Sequence, residues 1–209
     1  GDAYYSGQQS LVNTYQREDV HIKPDHIIVF DRNTPVDSTS DVSWVLHTKN
    51  QPVINGNEID EVNDNGKLFQ KTTLPENAVL SSQYESGGVH GLNSWRVTVD
   101  SGQPQQHVQF LNYLYPASAA TGSMPEAQTI YASTENMIGV QIGGAQQDFV
   151  VMFSTDPAGA PPVDGVMYEL SAYSPSSNYL LGLLPNTEYE VHVMEGVETR
   201  TVIVHQGTG

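Results

Sequence analysis

"SWRVTVD" (Ser94–Asp100) carries the alternation of a β-strand with one buried face. Trp95, Val97 and Val99 alternate with Arg96, Thr98 and Asp100, so an extended chain sends the apolar side chains to one face and the polar ones to the other. That is the pattern of a sheet with one wet side. "DSGQP" then supplies the turn. Working outward, runs of the same period or rich in β-branched residues recur at short intervals, separated by Gly, Pro, Asn and Asp. They predict strands at 26–32 "HIIVFDR", 42–47 "VSWVLH", 67–74 "KLFQKTTL" and 107–116 "HVQFLNYLYP". Further strands are expected at 136–144, 148–155, 165–174, 189–195 and 199–206, with no long stretch of helical 3.6 periodicity. The Asn65-Gly66 pair in "NDNGK" marks a turn that takes positive φ readily.

The fold class is therefore all-β, an antiparallel β-sandwich followed by a second, smaller one. The larger sandwich is expected over 1–116. "ASAATGSMPEAQ" (117–128), small, polar and broken by proline, reads as a linker or crossing loop, and 129–209 as the smaller sandwich. No internal repeat joins the halves.

Twenty-four acidic residues against eight basic ones give a formal charge of −16. Nucleic acid is excluded as a partner on that ground, and any polyanion is repelled unless a local basic cleft or high salt offsets the field. With no cysteine, disulfides, thiolate zinc and thiol nucleophiles are out, so a metal site must use His, Asp or Glu. No apolar run approaches the roughly 20 residues of a membrane-spanning helix, and no membrane partner is expected. "GDAYYSGQQ" lacks the charged and apolar regions of a signal peptide, as a mature secreted protein or an excised fragment also would. The charge fits a saline periplasmic or secreted setting.

Several stretches invite chemistry. "NGNEIDEVNDNG" (55–66) clusters oxygens as a calcium loop does. However, Glu61 stands where such a loop begins with Asp, and no glutamate closes it, so a solvated hairpin turn accounts for it better. Histidines stand at 21, 26, 47, 90, 107, 192 and 205, none in an H-E-x-x-H pair, although distant ones can converge in space. "ESGGVHGLN" (85–93) has glycines but neither the lysine nor the helix of a phosphate loop; its His90 is an ordinary loop residue or lies near a site. Tyrosine and histidine together can carry out β-elimination on uronic-acid sugars, and there are eleven tyrosines, most in strands where packing explains them. Tyr4, Tyr5 and Tyr15, near Arg17, would suit the border of a cleft. His47, ending "SWVLH", has a plain account as a half-buried strand-end imidazole bonded to a neighbouring carbonyl.

"HIKPDHIIVFDRNTPVD", "SWVLHTKNQPVINGNEI", "GKLFQKTTLPENAVL", "FLNYLYPAS", "DFVVMFST" and "YLLGLLPNTEYEVHV" follow one another in an order that resembles the C-terminal β region of heparinase II/III-like polysaccharide lyases. The series comprises a strand ending Val-Phe-Asp-Arg, a strand ending Leu-His before a Pro turn, a Leu-Pro-Glu-Asn-Ala segment and a closing Gly-Leu-x-Pro-x-Thr-x-Tyr hairpin. The last piece alone is equally similar to a fibronectin type III strand pair.

The resemblance implies a module that forms one wall of a polysaccharide cleft and stabilises an α/α toroid, where most catalytic groups reside. The reaction implied is β-elimination on alginate or glycosaminoglycans, and no catalytic residue is assigned to this chain. Some relatives hold a structural zinc in the β region, and the resemblance aligns one of its ligands with His47, the other ligands falling upstream of Gly1. Asp31 is a weaker candidate for an oxygen ligand. The face that a toroid leaves bare could also pair two copies into a homodimer. The rival reading is a non-catalytic carbohydrate-binding or adhesion module for neutral glycans, with Trp44 or Trp95 as exposed sugar platforms.

Overall fold

The computed structural model describes residues 11–87, 93–134, 136–157, 160, 165–171 and 175–207. The chain divides into two units, Gly1–Met124 and Pro125–Gly209. Among the described residues both are built of strands.

In the first unit, β1 (Val12–Ile22), β2 (His26–Pro35), β4 (Val53–Asn55), β5 (Glu58–Asn63), β6 (Gly66–Leu74) and β9 (Val108–Ser118) form a sheet in the order β1-β2-β9-β6-β5-β4. β3 (Ser43–Thr48), β7 (Val79–Glu85) and β8 (Ser94–Asp100) form a second sheet, β3-β8-β7. Trp44 and Val99 of the smaller sheet pack against Val108 and Phe110 of the larger. This packing follows from the alternation read in "SWRVTVD", because Val97 and Val99 are buried while Arg96, Thr98 and Asp100 are less so. One polar network lies in the larger sheet: the Gln70 amide donates to Thr72 Oγ1 and Asn112 Oδ1, both at 2.7 Å.

One hairpin and one strand end differ in detail from expectation. Asn63 pairs with Gly66, so Asp64 and Asn65 are the loop, and the positive φ (54°) falls on Asp64 rather than on the Asn-Gly pair. Aspartate tolerates the left-handed region better than most side chains, so the turn accepts it. β9 also runs on to Ser118 because Ala117 and Ser118 keep pairing with Lys67 and Gly66. With β10 beginning at Ala127, the stretch outside strands is 119–126, narrower than 117–128.

The second unit contains β10 (Ala127–Tyr131), β11 (Met137–Ile142), β12 (Asp148–Ser154) and β14 (Ser176–Leu180) in one sheet. β13 (Val166–Ser171), β16 (Thr199–Gln206) and β15 (Tyr189–Glu195) form the other. Ile130, Met137 and Met152 meet Val166, Tyr168 and Val202 between them. β14 lies parallel to β12, the one parallel pairing among the described residues, and the chain visits β13 in the other sheet before returning to it. Gly139 lets β11 approach β12: a Cβ there would sit 2.0 Å from the Val151 carbonyl oxygen.

"GLLPNTEY" is not the turn of a hairpin. It carries the chain from β14 in one sheet to β15 in the other, since β15 pairs with β16. The Tyr189 hydroxyl accepts the Leu184 N–H at 2.9 Å and pins this crossing, in the manner of a tyrosine corner.

Candidate functional site

β1 and β2 bring a set of polar side chains together in the first unit. Their register sets Tyr15 opposite Asn33 and Arg17 opposite Asp31, while Phe110 of β9 faces Asp31 from the other side. Arg17 grips both oxygens of Asp31, Nε and Nη2 each at 2.7 Å, and the Tyr15 hydroxyl donates to Oδ1 at 3.1 Å. Asp31 is 1% exposed and Arg17 41%. The hydrogen bond to Asp31 pushes the Arg17 guanidinium further above its already high range. Burial first, and the Asp31 charge second, push the Tyr15 hydroxyl up. Tyr15 is therefore a fixed donor and not a base.

With Ser43, Trp44 and Val45 of β3, these residues line a hollow of about 230 Å3. That is below the roughly 300 Å3 at which pockets begin to bury small ligands. The hollow is an edge groove with a cation and an exposed ring on its rim.

The Asp31 carboxylate, occupied by Arg17 and Tyr15, is thus committed to an ion pair. Trp44 is 7% exposed and part of the core, so it cannot serve as a sugar platform; its place opposite Val99 on the inward face of β3 explains the difference. Trp95 is half-buried, its ring 5.6 Å from that of Tyr84.

His47 lies on the outer face of β3, where Nε2 is 3.3 Å from Glu85 Oε2, and Arg96 Nη1 is 3.4 Å from the other oxygen of Glu85. Its partner is a carboxylate and not a carbonyl. Among the described residues no cluster of three metal-ligating side chains includes His47. One imidazole and one carboxylate already paired with arginine do not hold zinc by themselves, so a zinc at His47 must draw its other ligands from elsewhere.

A tyrosine and a histidine do meet in this unit: Tyr113 OH is 2.7 Å from His26 Nδ1, with the rings stacked. Burial drives the pair toward neutrality, pushing the Tyr113 hydroxyl well up and His26 down. A general base on tyrosine needs the opposite shift. With Tyr113 wholly buried, the pair is a core contact.

His21 and His107 make single bonds, to Pro24 O and Thr34 Oγ1. His192 and His205 stack on each other. In the run 55–66, Glu61 turns inward and accepts the Asn50 N–H at 2.8 Å, leaving two ordinary hairpin turns. Tyr4, Tyr5 and His90 lie outside the described residues.

This architecture recurs in solved enzymes. A mutant of the heparan sulfate lyase HepC from Pedobacter heparinus superposes on 68% of this chain with a TM-score of 0.51 at 13% identity. The fold is heparinase-like. A heparinase III with methylated lysines matches 67% of the chain at 13% identity, with a TM-score of 0.49. The chain spans about a quarter of the length of each, 24% and 23%. No protein-family model and no curated protein matches it.

Proposed function

We infer that the chain is the C-terminal β-sandwich module of a heparinase II/III-like polysaccharide lyase, acting within its parent enzyme by β-elimination on uronic-acid polysaccharides. The observation that carries this is the superposition on a heparan sulfate lyase over two thirds of the chain, joined to the order of sequence stretches that resembles the same family. The module shapes one wall of the cleft and steadies an α/α toroid that supplies the proton-transfer groups. Two features of the first unit support this division of labour. Its described tyrosines with shifted hydroxyls, Tyr15 and Tyr113, are both shifted away from basicity. Its Tyr15–Arg17 groove is too shallow to enclose a reacting sugar. The reading carries with it a periplasmic or secreted setting and a structural zinc bound through His47, whose remaining ligands come from outside this chain.

Incubation of the folded 209-residue chain with heparan sulfate, hyaluronan, chondroitin and alginate, read by ultraviolet absorbance of unsaturated uronate ends, is expected to give no product. Robust product would place the base and acid within this chain and overturn the supporting role. Saturable binding to neutral glycans only would favour a carbohydrate-binding module instead.

A further inference from the structure

The outer face of the β15–β16 hairpin carries a second, separate constellation. Residues i and i+2 of a strand share a face, so Glu190 and His192 of β15 project together. The register places His205 directly opposite Glu190 and Ile203 opposite His192, which makes the two imidazoles diagonal neighbours on that face. Val191 and Val193 project from the opposite face, across from Val204 and Val202, and are themselves exposed on this edge strand.

The rings of His192 and His205 lie 5.2 Å apart and are nearly parallel, at 13°. Glu190 Oε2 is 3.7 Å from Nε2 of each histidine, and one donor atom from each of the three residues falls within 4.8 Å of the others. Donors around a tetrahedral zinc ion stand about 3.3 Å apart, given bonds of roughly 2.0 to 2.2 Å. Closing that gap also requires the stacked rings to turn so that their lone pairs converge, a freedom that exposed side chains have.

A second observation concerns the tautomer. His205 Nδ1 lies 3.1 Å from the backbone carbonyl oxygen of Gln206. A carbonyl can only accept, so this bond favours a proton on Nδ1, and in that neutral tautomer it is Nε2, on the Glu190 side, that offers a lone pair to an ion. Metal-bound histidines are oriented by this kind of outer bond. The donor set of two imidazoles and one carboxylate is borderline in softness, which favours zinc and its neighbours over calcium or magnesium.

We propose that Glu190, His192 and His205 form an open three-ligand site for a divalent transition ion of the zinc class, with water or an outside ligand in the remaining position. A bound ion ties the edge strand β15 to β16 through side chains and stabilises the second unit. The site stands independently of the lyase reading and of any zinc at His47.

The test is calorimetric titration of the untagged, metal-free full chain with zinc chloride, alongside His192→Gln, His205→Gln, Glu190→Gln and, as a control, His47→Gln. All four positions are on the surface, and far-ultraviolet circular dichroism checks that each variant is folded. The expected result is one equivalent bound by the wild type and by His47→Gln. Either hairpin histidine variant should bind about tenfold or more weakly, the least to be expected from losing a ligand when loss of an outer-shell partner alone costs that much. Nuclear magnetic resonance should place the zinc-dependent shifts on the His192 and His205 rings. Absence of binding, binding of unchanged strength in both hairpin histidine variants, or its loss in His47→Gln alone would overturn the proposal.

Discussion

Replacing Arg17 with methionine keeps an apolar stem of similar length and removes the guanidinium from a carboxylate that is 1% exposed. Asp31 then retains the Tyr15 hydroxyl but loses its paired cation. Breaking a buried ion pair from one side costs roughly 3 to 5 kcal/mol because the remaining charge is uncompensated. Here the 41% exposure of Arg17 admits solvent and Tyr15 still donates, so the loss belongs at or below the low end, about 2 to 3 kcal/mol. Asp31→Asn alone leaves an arginine that can turn to water and costs about 1 kcal/mol. The double variant removes the stranded charge and should therefore be more stable than Arg17→Met. Both tryptophans, Trp44 and Trp95, lie in Gly1–Met124, so tryptophan fluorescence during urea or thermal unfolding follows that unit alone. For a unit of this size roughly 4 °C accompanies each kcal/mol, and Arg17→Met should melt about 10 °C lower. An Arg17→Met variant within about 1 kcal/mol of wild type, or one not rescued by Asp31→Asn, would refute the claim that the pair holds β1 to β2 as an isolated charge couple.

His26 supplies a pH dependence. Burial lowers its pKa below 6.5, so the native state holds fewer protons than the unfolded state once the pH falls through that value. Stability of the first unit is thus fully present above about pH 6.5 and declines as the pH drops toward the folded pKa; a tryptophan-monitored urea midpoint that falls equally in wild type and His26→Gln would contradict this. Gly139→Ala sets a methyl 2.0 Å from the Val151 carbonyl and 2.7 Å from Met152 Sδ. Separation of β11 from β12 is expected, with at least about 3 kcal/mol lost, seen as loss of amide protection in the second unit by hydrogen exchange. Asn112→Ala removes the acceptor of the Thr72 hydroxyl and one of the two acceptors of the Gln70 amide, and should cost about 2 kcal/mol by urea denaturation. The triple change of Gln70, Thr72 and Asn112 to apolar residues of similar volume should be milder than three such losses summed.

How far the sequence disclosed this fold depends on where each strand sits. β8, β15 and β16 fall where their alternation places them, and β2, β6 and β12 differ by a few residues at most at either end. The strands left unread, β1, β4, β7, β10 and β14, are sheet edges. "VNTYQREDVHI" and "VLSSQYE" are exposed along much of their length, so burial writes little periodicity into them. β5, an interior strand, was hidden differently: its inward positions are Ile59 and Glu61, and a buried glutamate bonded to a backbone N–H breaks the apolar pattern. For the candidate sites, the Arg17–Asp31 couple needed the β1–β2 register, which no motif announces. The Glu190–His192–His205 group did leave a signal. Glu-x-His within "YEVHVME" and a histidine near the end of "TRTVIVHQ" converge once the two strands are joined by a short turn, a step that spacing along the chain alone does not take. Trp44, a platform only under the rival reading, lies in the core, where a period-two strand more often puts a tryptophan, and one facing inward looks like one facing outward until the sheet's partner is known.

The proposed role within a larger lyase is tested on the natural polypeptide that carries this chain, expressed whole and again with residues 1–209 deleted, and assayed for unsaturated uronate release from heparan sulfate, hyaluronan, chondroitin and alginate. Product from at least one of these substrates is expected with the whole polypeptide, and its loss or steep reduction on deletion. A folded whole polypeptide that cleaves none of them, or one whose activity is indifferent to the deletion, would contradict it.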